Sequence, residues 1–370
     1  MALPYFLIFF RFTVGPVVLS IYYSFTVFNL IEDAKFVFIE NYLRLLFDDD
    51  IFLTAIQNTL IFAVITGPVS YFLSLITAWF INELPPKVRA VVTLIFYAPS
   101  ISGGVYLIWK VAFDGDSYGY VNYLLLRYGI ETTPIQFFQN EKYVMPLCIV
   151  VALWTSLGTA FLAFIGGLQT IDKAQYEAGA VDGVRNRWQE FWYITLPNMK
   201  QQLLFGAVMS ITQSFGFGDI VTALAGFPSV NYCAWTIVHH LQDYGGQRYE
   251  VGYASAIATI LFIIMIGCDD MQKDTFFRLT KYFRKWGSDM AKLRTRNHKV
   301  VLSRSAGGDV GISIFLIIFG LFMFIPMYYV VIQSLKPMDE LWTYPPKFYV
   351  VKPTLSNFTD MFKAMSNSWV

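Results

Sequence analysis

The sequence predicts an all-α membrane protein with seven spanning helices, six in one bundle and one further along the chain. Of its 370 residues, 56% are apolar and only 14% are charged, whereas soluble domains carry about 25% charged residues. The apolar residues also gather in stretches close to the roughly 20 residues that a helix needs to cross a bilayer. Lipid is therefore the expected solvent for most of the chain.

Seven stretches are apolar enough to span a membrane. They lie near residues 3–28, 53–81, 90–113, 144–169, 201–224, 251–267 and 311–334. The first contains Arg11 and Pro16, which membrane helices tolerate when neighbouring helices satisfy the freed polar groups. The sixth is short and can extend at its start.

The distribution of Lys and Arg predicts the orientation. The loops 82–89 and 170–200 and the segment 268–310 hold 16 of the 27 basic residues. Basic loops stay on the cytoplasmic side, so the N-terminus is expected inside. The segments expected outside are 29–52, 114–143, 225–250 and 335–370.

The loop between the fourth and fifth predicted spans contains helix-capping patterns. Asp172 is followed by Gln175 three residues later, which predicts a helix from Lys173. Gly183 is the expected C-terminal stop of that helix.

A second helix follows in the same loop. Asn186 and Gln189 repeat the capping pattern, and Pro197 is expected to end this helix and suit the first turn of the next span. Two short helices joined at a glycine form an elbow that can transmit a push from a partner outside the membrane. A capped loop with no partner is the alternative.

Residues 1–60 and 311–368 share a pattern. The corresponding pairs are Pro16 and Pro326, Ser24 and Ser334, Asn41-Tyr42 and Asn357-Phe358, and Asn58-Thr59 and Asn367-Ser368. We expect a six-span domain over residues 1–270, a basic cytoplasmic tail and linker over 271–310, and the first span and outer loop of a related domain over 311–370. Chance similarity between two N-terminal-type membrane helices is the alternative.

Apolar residues from Phe276 to Leu293 recur at three- and four-residue steps, with Lys and Arg between them. This pattern predicts a basic amphipathic helix on the anionic inner leaflet. An ordinary solvated tail that only sets topology is the other interpretation.

The loop resembles the signature of inner-membrane permease subunits of ATP-driven, binding-protein-dependent (ABC) importers. That signature reads Glu-Ala-Ala, three residues, Gly, nine residues, Ile-x-Leu-Pro. The chain matches it with Glu177-Ala178, Gly183 and Ile194-Thr195-Leu196-Pro197. It departs at Gly179, and by having ten residues between Gly183 and Ile194.

The resemblance extends to the sugar-importing branch, of the maltose-permease type, first subunit. It is carried by Tyr22-Tyr23-Ser24-Phe25-Thr26, Glu40-Asn41-Tyr42, Asn58-Thr59-Leu60 and Tyr97-Ala98-Pro99. Residues 311–370 look like the start of the second subunit, by Ser334-Leu335-Lys336-Pro337, Pro345-Pro346 and Lys352-Pro353-Thr354-Leu355-Ser356-Asn357-Phe358.

This resemblance implies a six-span type I importer bundle in a bacterial inner membrane, followed by one extra span from a partial second permease. The implied partners are cytoplasmic ATPase subunits that hold ATP and Mg²⁺, a second permease subunit, an extracellular solute-binding protein and membrane lipid, with a carbohydrate as substrate. The residues implied to contact or shape the ATPase interface are Glu177, Ala178, Gly179, Asp182, Gly183, Leu196 and Pro197. A permease for a non-sugar solute is the alternative.

Polar or aromatic side chains within spans are candidates for the solute pathway, because polar groups in membranes usually face a cavity or another helix. The candidates are Asn58, Trp154, Gln213 and Asp219. Interhelical hydrogen bonding for Gln213, packing for Trp154 and an exposed loop position for Asp219 are the alternatives.

A membrane-embedded enzyme is the rival class. The chain has three histidines, and the adjacent His239 and His240 point to different faces, so they do not form a metal pair. The sequence contains no Gly-x-x-x-x-Gly-Lys-Ser/Thr phosphate loop. Its three cysteines lack metal spacing and predict no metal site. We therefore expect no cofactor bound by this chain, no nucleic-acid partner and no enzymatic activity.

Overall fold

The computed structural model describes residues 3–184, 186–268, 270, 306–341, 343 and 347–367. Within this part of the chain, six helices are long and apolar enough to cross a membrane. They are Leu3–Tyr23, Asp50–Asn82, Glu141–Thr170, Lys200–Ala225, Val251–Cys268 and Gly307–Leu335. The predicted all-α membrane class is therefore confirmed.

The chain divides into two compact units. One holds Met1–Pro68 and Ser210–Phe277, and the other holds Val69–Met209 and Arg278–Val370. Two long helices, Asp50–Asn82 and Lys200–Phe215, contribute residues to both units.

The elements that begin in the first unit are mostly spans and outer-loop helices. They are α1 (Leu3–Tyr23, with a π turn at Phe10–Val14), β1 (Thr26–Val27), β2 (Lys35–Phe36), α2 (Glu40–Leu43, followed by a π turn at Arg44–Asp48), α3 (Asp50–Asn82), α13 (Gly218–Ala225), α14 (Ile237–Gln242) and α15 (Val251–Cys268). The two strands pair antiparallel, with Thr26 opposite Phe36.

The elements that begin in the second unit include the two short helices of the loop 170–200. They are α4 (Pro86–Ile101), α5 (Leu107–Ala112), α6 (Tyr120–Arg127), α7 (Glu141–Thr155), α8 (Thr159–Thr170), α9 (Lys173–Val181), α10 (Arg187–Glu190), α11 (Leu196–Asn198), α12 (Lys200–Phe215), α16 (Ala306–Leu335), α17 (Met338–Leu341) and α18 (Ser356–Asn367).

The predicted third span over 90–113 is not one continuous helix. Helix α4 ends at Ile101 and α5 begins at Leu107. Between them, Gly104 adopts a φ of +72°, a left-handed conformation that glycine tolerates and that ends a right-handed helix. The spans predicted over 144–169 and 201–224 are also interrupted, after Thr155 and after Phe215.

The predicted basic amphipathic helix over residues 273–293 lies outside the described residues. The domain boundaries at residues 270 and 310 likewise stay predictions.

A buried network ties the outer-loop segments of the first unit together. The Asp49 carboxylate accepts hydrogen bonds from the His240 ring (Nε2 to Oδ2, 2.9 Å) and from the Tyr253 hydroxyl (2.7 Å). Its other oxygen accepts the Phe52 backbone N–H at 2.9 Å. The Trp235 indole N–H donates to His240 Nδ1 at 3.3 Å. These contacts place the predicted outer loops 29–52 and 225–250 on one side of the unit.

The same network sets the acid–base behaviour of Asp49. Burial alone would raise the pKa of this carboxyl, but the hydrogen bonds from His240, Tyr253 and Phe52 outweigh that effect and lower the pKa from 3.8 to about 2. Because the folded-state pKa is depressed, the ionised Asp49 contributes stability above a pH of about 4. That contribution is lost as the pH falls from about 4 to about 2.

Asp49→Asn is expected to lower the free energy of unfolding by about 1–3 kcal/mol, because buried donors lose their acceptor. Thermal unfolding in detergent measures the effect. The gap between wild type and variant should be full near neutral pH and should narrow below a pH of about 4. Asp48→Asn, at an exposed neighbour, is the matched control and should change little. A gap that stays constant down to a pH of about 2 would contradict the assigned network.

The sequence repeat has a counterpart in hydrogen bonding. In the first unit, the Asn41 amide donates to the backbone carbonyls of Ser24 and Thr26, both at 2.9 Å. In the second unit, the Asn357 amide donates to the carbonyls of Ser334 (3.0 Å) and Lys336 (2.8 Å).

The two serines also match. Each hydroxyl donates to the carbonyl three residues earlier, from Ser24 to Ile21 and from Ser334 to Val331. In both copies, an asparagine in a short outer helix thus holds the end of a spanning helix. One difference is that the Tyr42 hydroxyl donates to Ser24 Oγ, whereas Phe358 at the matching position has no hydroxyl.

Helix α16 packs lengthwise on the second unit. Four aromatic pairs follow it from its first turns to its end: Phe315 with Phe80 (ring centroids 5.2 Å apart), Phe319 with Phe96 (5.3 Å), Phe322 with Trp109 (5.7 Å) and Tyr329 with Tyr120 (4.9 Å). Helix α16 therefore runs in the same direction as α4 and α5. Its end lies beside the 114–143 loop, as the predicted topology requires.

Candidate functional site

The first helix of the loop has the predicted start and stop. The Asp172 carboxylate accepts a hydrogen bond from the Ala174 backbone N–H at 3.0 Å, so α9 begins at Lys173. At the other end, Gly183 has a φ of +91°. Its N–H donates to the Ala180 carbonyl (3.1 Å), and the Val184 N–H donates to the Gly179 carbonyl (2.8 Å). This pair of bonds is the Schellman C-cap, which favours glycine at this position.

The second helix also begins at its predicted cap. The Asn186 side chain accepts from the Gln189 N–H at 2.9 Å. Helix α10 then continues through a π turn at Phe191–Thr195 into α11, where Pro197 occupies the first turn. A π turn holds one residue more than an α turn. It therefore takes up the additional residue by which this loop departs from the family signature.

The two helices pack into one elbow. A Cβ on Gly179 would lie 2.5 Å from Ile194 Cδ1, so the glycine allows α9 to approach the π turn closely. The Tyr176 hydroxyl lies 3.0 Å from Thr195 Oγ1. Both contacts join α9 to the π turn that follows α10.

A cluster of aromatic rings attaches the elbow to the end of span α3. The Trp79 ring lies 4.4 Å from that of Phe191 and 5.2 Å from that of Trp188, between centroids. Close to this cluster, the Arg187 guanidinium lies 3.8 Å from the Glu83 carboxylate. The loops 82–89 and 170–200 therefore meet, as the predicted topology requires.

The opposite face of α9 is open. Exposed residues on this helix include Ala174, Glu177, Ala178 and Val181, and Asp182 at its C-cap is exposed as well. The Val181 side chain is 74% exposed. Of the other predicted interface residues, Gly179, Gly183 and Leu196 are half-buried and Pro197 is exposed. The open face is thus small and apolar with flanking carboxylates, a shape that a protein groove can accept.

The four candidate pathway residues are placed differently. The Asn58 amide donates to the carbonyls of Tyr232 and Trp235, both at 3.0 Å, so its donors hold a loop of the first unit. Trp154, in the second unit, is fully buried, and its indole N–H has no partner within the described residues. Gln213 is half-buried, and Asp219 is exposed in the first turn of α13.

Sequence reasoning missed the residues that anchor the elbow. Trp79 and Arg187 carry no motif of their own. The sequence does place Arg187 between a helix cap and several aromatic residues. This pattern alone does not show that the loop is anchored, because the anchoring depends on tertiary contacts.

Comparison with known proteins decides the family. The family described as "Binding-protein-dependent transport system inner membrane component" matches residues 1–268. The chain belongs to this family. The permease is therefore a multi-pass component of the plasma membrane and a transport protein, which sets the enzyme alternative aside.

Individual relatives agree with this assignment. The permease is 29% identical over 268 residues to the probable ABC transporter permease protein YesP of Bacillus subtilis, covering 71% of this chain and 84% of YesP. It is 27% identical over 264 residues to the arabinooligosaccharides transport system permease protein AraP of Halalkalibacterium halodurans, covering 71% of this chain and 82% of AraP.

A solved structure shares the fold. It is a bacterial alginate ABC transporter in complex with an alginate pentasaccharide-bound periplasmic protein, matched with a TM-score of 0.63 at 23% identity. The match covers 76% of this chain and 94% of the other.

Proposed function

We propose that this permease forms part of a carbohydrate pathway across the membrane and is driven by separate ATPase subunits through the elbow of α9 and α10. The observation that carries the proposal is the open face of α9 on an elbow anchored to span α3. A helix with an open face of small residues, held at a fixed angle, is suited to insertion into a groove of a partner.

The chemistry of the open face supports a protein partner. Ala174, Ala178 and Val181 are spaced by four and three residues, so they share one side of α9. Glu177 and Asp182 lie beside them and offer carboxylates to Lys or Arg of the partner. Gly179, Gly183, Leu196 and Pro197 set the angle of the elbow rather than forming its tip.

Nucleotide chemistry belongs to the partner in this proposal. The sequence contains no Gly-rich phosphate loop of the ATPase type, so ATP and Mg²⁺ would be held by the cytoplasmic ATPase subunits. Closure of those subunits around ATP would move α9, and the packed elbow would pass the motion to α3 through Trp79.

The relative AraP is named as an arabinooligosaccharides transport system permease. This similarity supports carbohydrate as the solute class. Among the pathway candidates, Gln213 is half-buried and Asp219 is exposed, whereas Trp154 is fully buried. We infer that Gln213 and Asp219 are better placed to meet a hydroxylated solute than Asn58, whose amide donors are already engaged.

We also infer that residues 311–370 are the first span and outer loop of a partial second permease domain. The matching asparagine bridges of Asn41 and Asn357 support this assignment. A complete second permease and an external solute-binding protein would then complete the importer.

The test is co-expression of the full chain with an ATPase subunit of the carbohydrate-importer class and a complete second permease. The expected results are co-purification with the ATPase and ATP-dependent uptake of labelled arabinooligosaccharides by proteoliposomes carrying a matching binding protein. Co-purification with uptake only of a non-sugar solute would retain the coupling proposal and overturn the carbohydrate assignment. Failure of the ATPase to bind would overturn the coupling proposal.

A further inference from the structure

Arg187, the first residue of α10, occupies an unusual position for a charged side chain. Only 14% of the side chain is exposed. Its Nη2 lies 3.8 Å from the Glu83 carboxylate at the end of α3. The same nitrogen donates a hydrogen bond to the carboxylate of Asp309, in the first turn of α16. Its Nε and Nη1 are buried without a hydrogen-bond partner in the described part of the chain.

The surroundings explain why this contact matters. Trp79, Trp188, Gly308 and Gly311 line the same cavity as Arg187, with a volume of about 280 Å³. Because the Arg187 side chain is largely buried, loss of its charge partner is costly, whereas the Asp309 side chain is 56% exposed.

Of the two carboxylates, Asp309 makes the closer contact, since Glu83 lies beyond hydrogen-bond distance. Helix α16 therefore contacts the elbow through Asp309, in addition to its aromatic contacts along α3 to α6.

We propose that Arg187 is a positioning residue that fixes the elbow between α3 and α16, with Asp309 as its partner in the first turn of α16. The effect of this contact on transport rests on the proposed function. Movement of the elbow is passed through Arg187 to α16 as well as to α3, so that both helices respond to the ATPase.

The geometry also distinguishes arginine from lysine. A guanidinium presents several fixed donors and can engage carboxylates on two helices, whereas an ammonium is a point charge on a flexible stem. Arg187→Lys should therefore keep the charge but weaken the positioning.

The contact itself is tested by cross-linking with a bifunctional thiol reagent about as long as the two contacting side chains, independently of transport. The full chain would carry Arg187→Cys and Asp309→Cys, with serine replacing Cys148, Cys233 and Cys268 and a specific protease site inserted between Ser303 and Arg304. After treatment with the reagent and cleavage, the two fragments should remain joined on a denaturing gel. The control pairs Arg187→Cys with Asp339→Cys, beyond the far end of α16, and should separate. Separation of both pairs, or retention of both, would overturn the contact.

The positioning role is tested in the assembled importer by the number of ATP molecules hydrolysed per solute imported. Asp309→Asn and Arg187→Lys should each raise this ratio several-fold while the ATPase still binds. The matched control Asp339→Asn should leave it unchanged. An unchanged ratio in both variants, beside a positive cross-linking result, would overturn the positioning role. If no importer assembles at all, the proposed function fails, while the cross-linking result still decides the contact.

Discussion

Replacement of Gly183 by valine is expected to uncouple ATP hydrolysis from solute uptake while leaving the spans inserted. Gly183 has a φ of +91° and closes the C-cap of α9. A β-branched residue in this conformation costs on the order of 1–3 kcal/mol, so the turn is expected to reorganise. The angle between α9 and α10 would then change, and ATPase movements would no longer reach span α3 in full. The measurement is uptake and ATP hydrolysis in the same proteoliposomes.

Gly129→Val provides a matched control for backbone strain. Gly129 has a φ of +68°, and the N–H groups of Gly129 and Ile130 close the same kind of C-cap on α6, donating to the carbonyls of Leu126 and Leu125. Because α6 lies in the predicted outer loop 114–143, this variant should lower stability without changing the ratio of ATP hydrolysed to solute imported. Normal coupling in Gly183→Val, or equal uncoupling in both variants, would contradict the role of the elbow.

Ala178→Arg is expected to weaken binding of the ATPase subunit by more than tenfold. Ala178 lies on the open face of α9, where a close fit to a groove depends on a small side chain. A long charged side chain there must be accommodated or desolvated, and a penalty of about 1.4 kcal/mol already reduces affinity tenfold. Binding of the purified ATPase to the permease in nanodiscs measures the change directly.

Val88→Arg is the control for added charge on the same side of the membrane. Val88 is 48% exposed in α4, close in sequence to Glu83 but outside the elbow. Its replacement should leave ATPase binding within about twofold of wild type. Unchanged binding by Ala178→Arg would show that this face of α9 is not the contact surface.

Local signals in the sequence were sufficient where neighbouring residues decide the structure. The caps at Asp172 and Asn186 and the stop at Gly183 were predicted correctly, because each depends on hydrogen bonds within a few residues. The membrane class followed from composition and segment length in the same way. The sequence also showed that the loop has one residue more than the family signature between Gly183 and Ile194. It did not show that a π turn forms at Phe191–Thr195.

Features that depend on distant contacts were not predictable. The 90–113 segment is broken at Gly104, and the two helices on either side of the break, α4 and α5, both pack against α16. Asn58 looked like a pathway residue, but its amide donors bind the carbonyls of Tyr232 and Trp235, more than 170 positions away in sequence. The anchoring role of Arg187 depends on Asp309, 122 positions away. Hydropathy and spacing carry no information about such partners.

The central claim is that the elbow faces the cytoplasm and contacts a separate ATPase during transport. The most direct measurement places a single cysteine at Glu177 in an otherwise cysteine-free chain and follows its labelling and its cross-linking to the ATPase subunit during turnover. The account predicts labelling only from the cytoplasmic side and a cross-link whose yield changes when ATP is added. Labelling from the external side, or no cross-link in an actively transporting preparation, would contradict it.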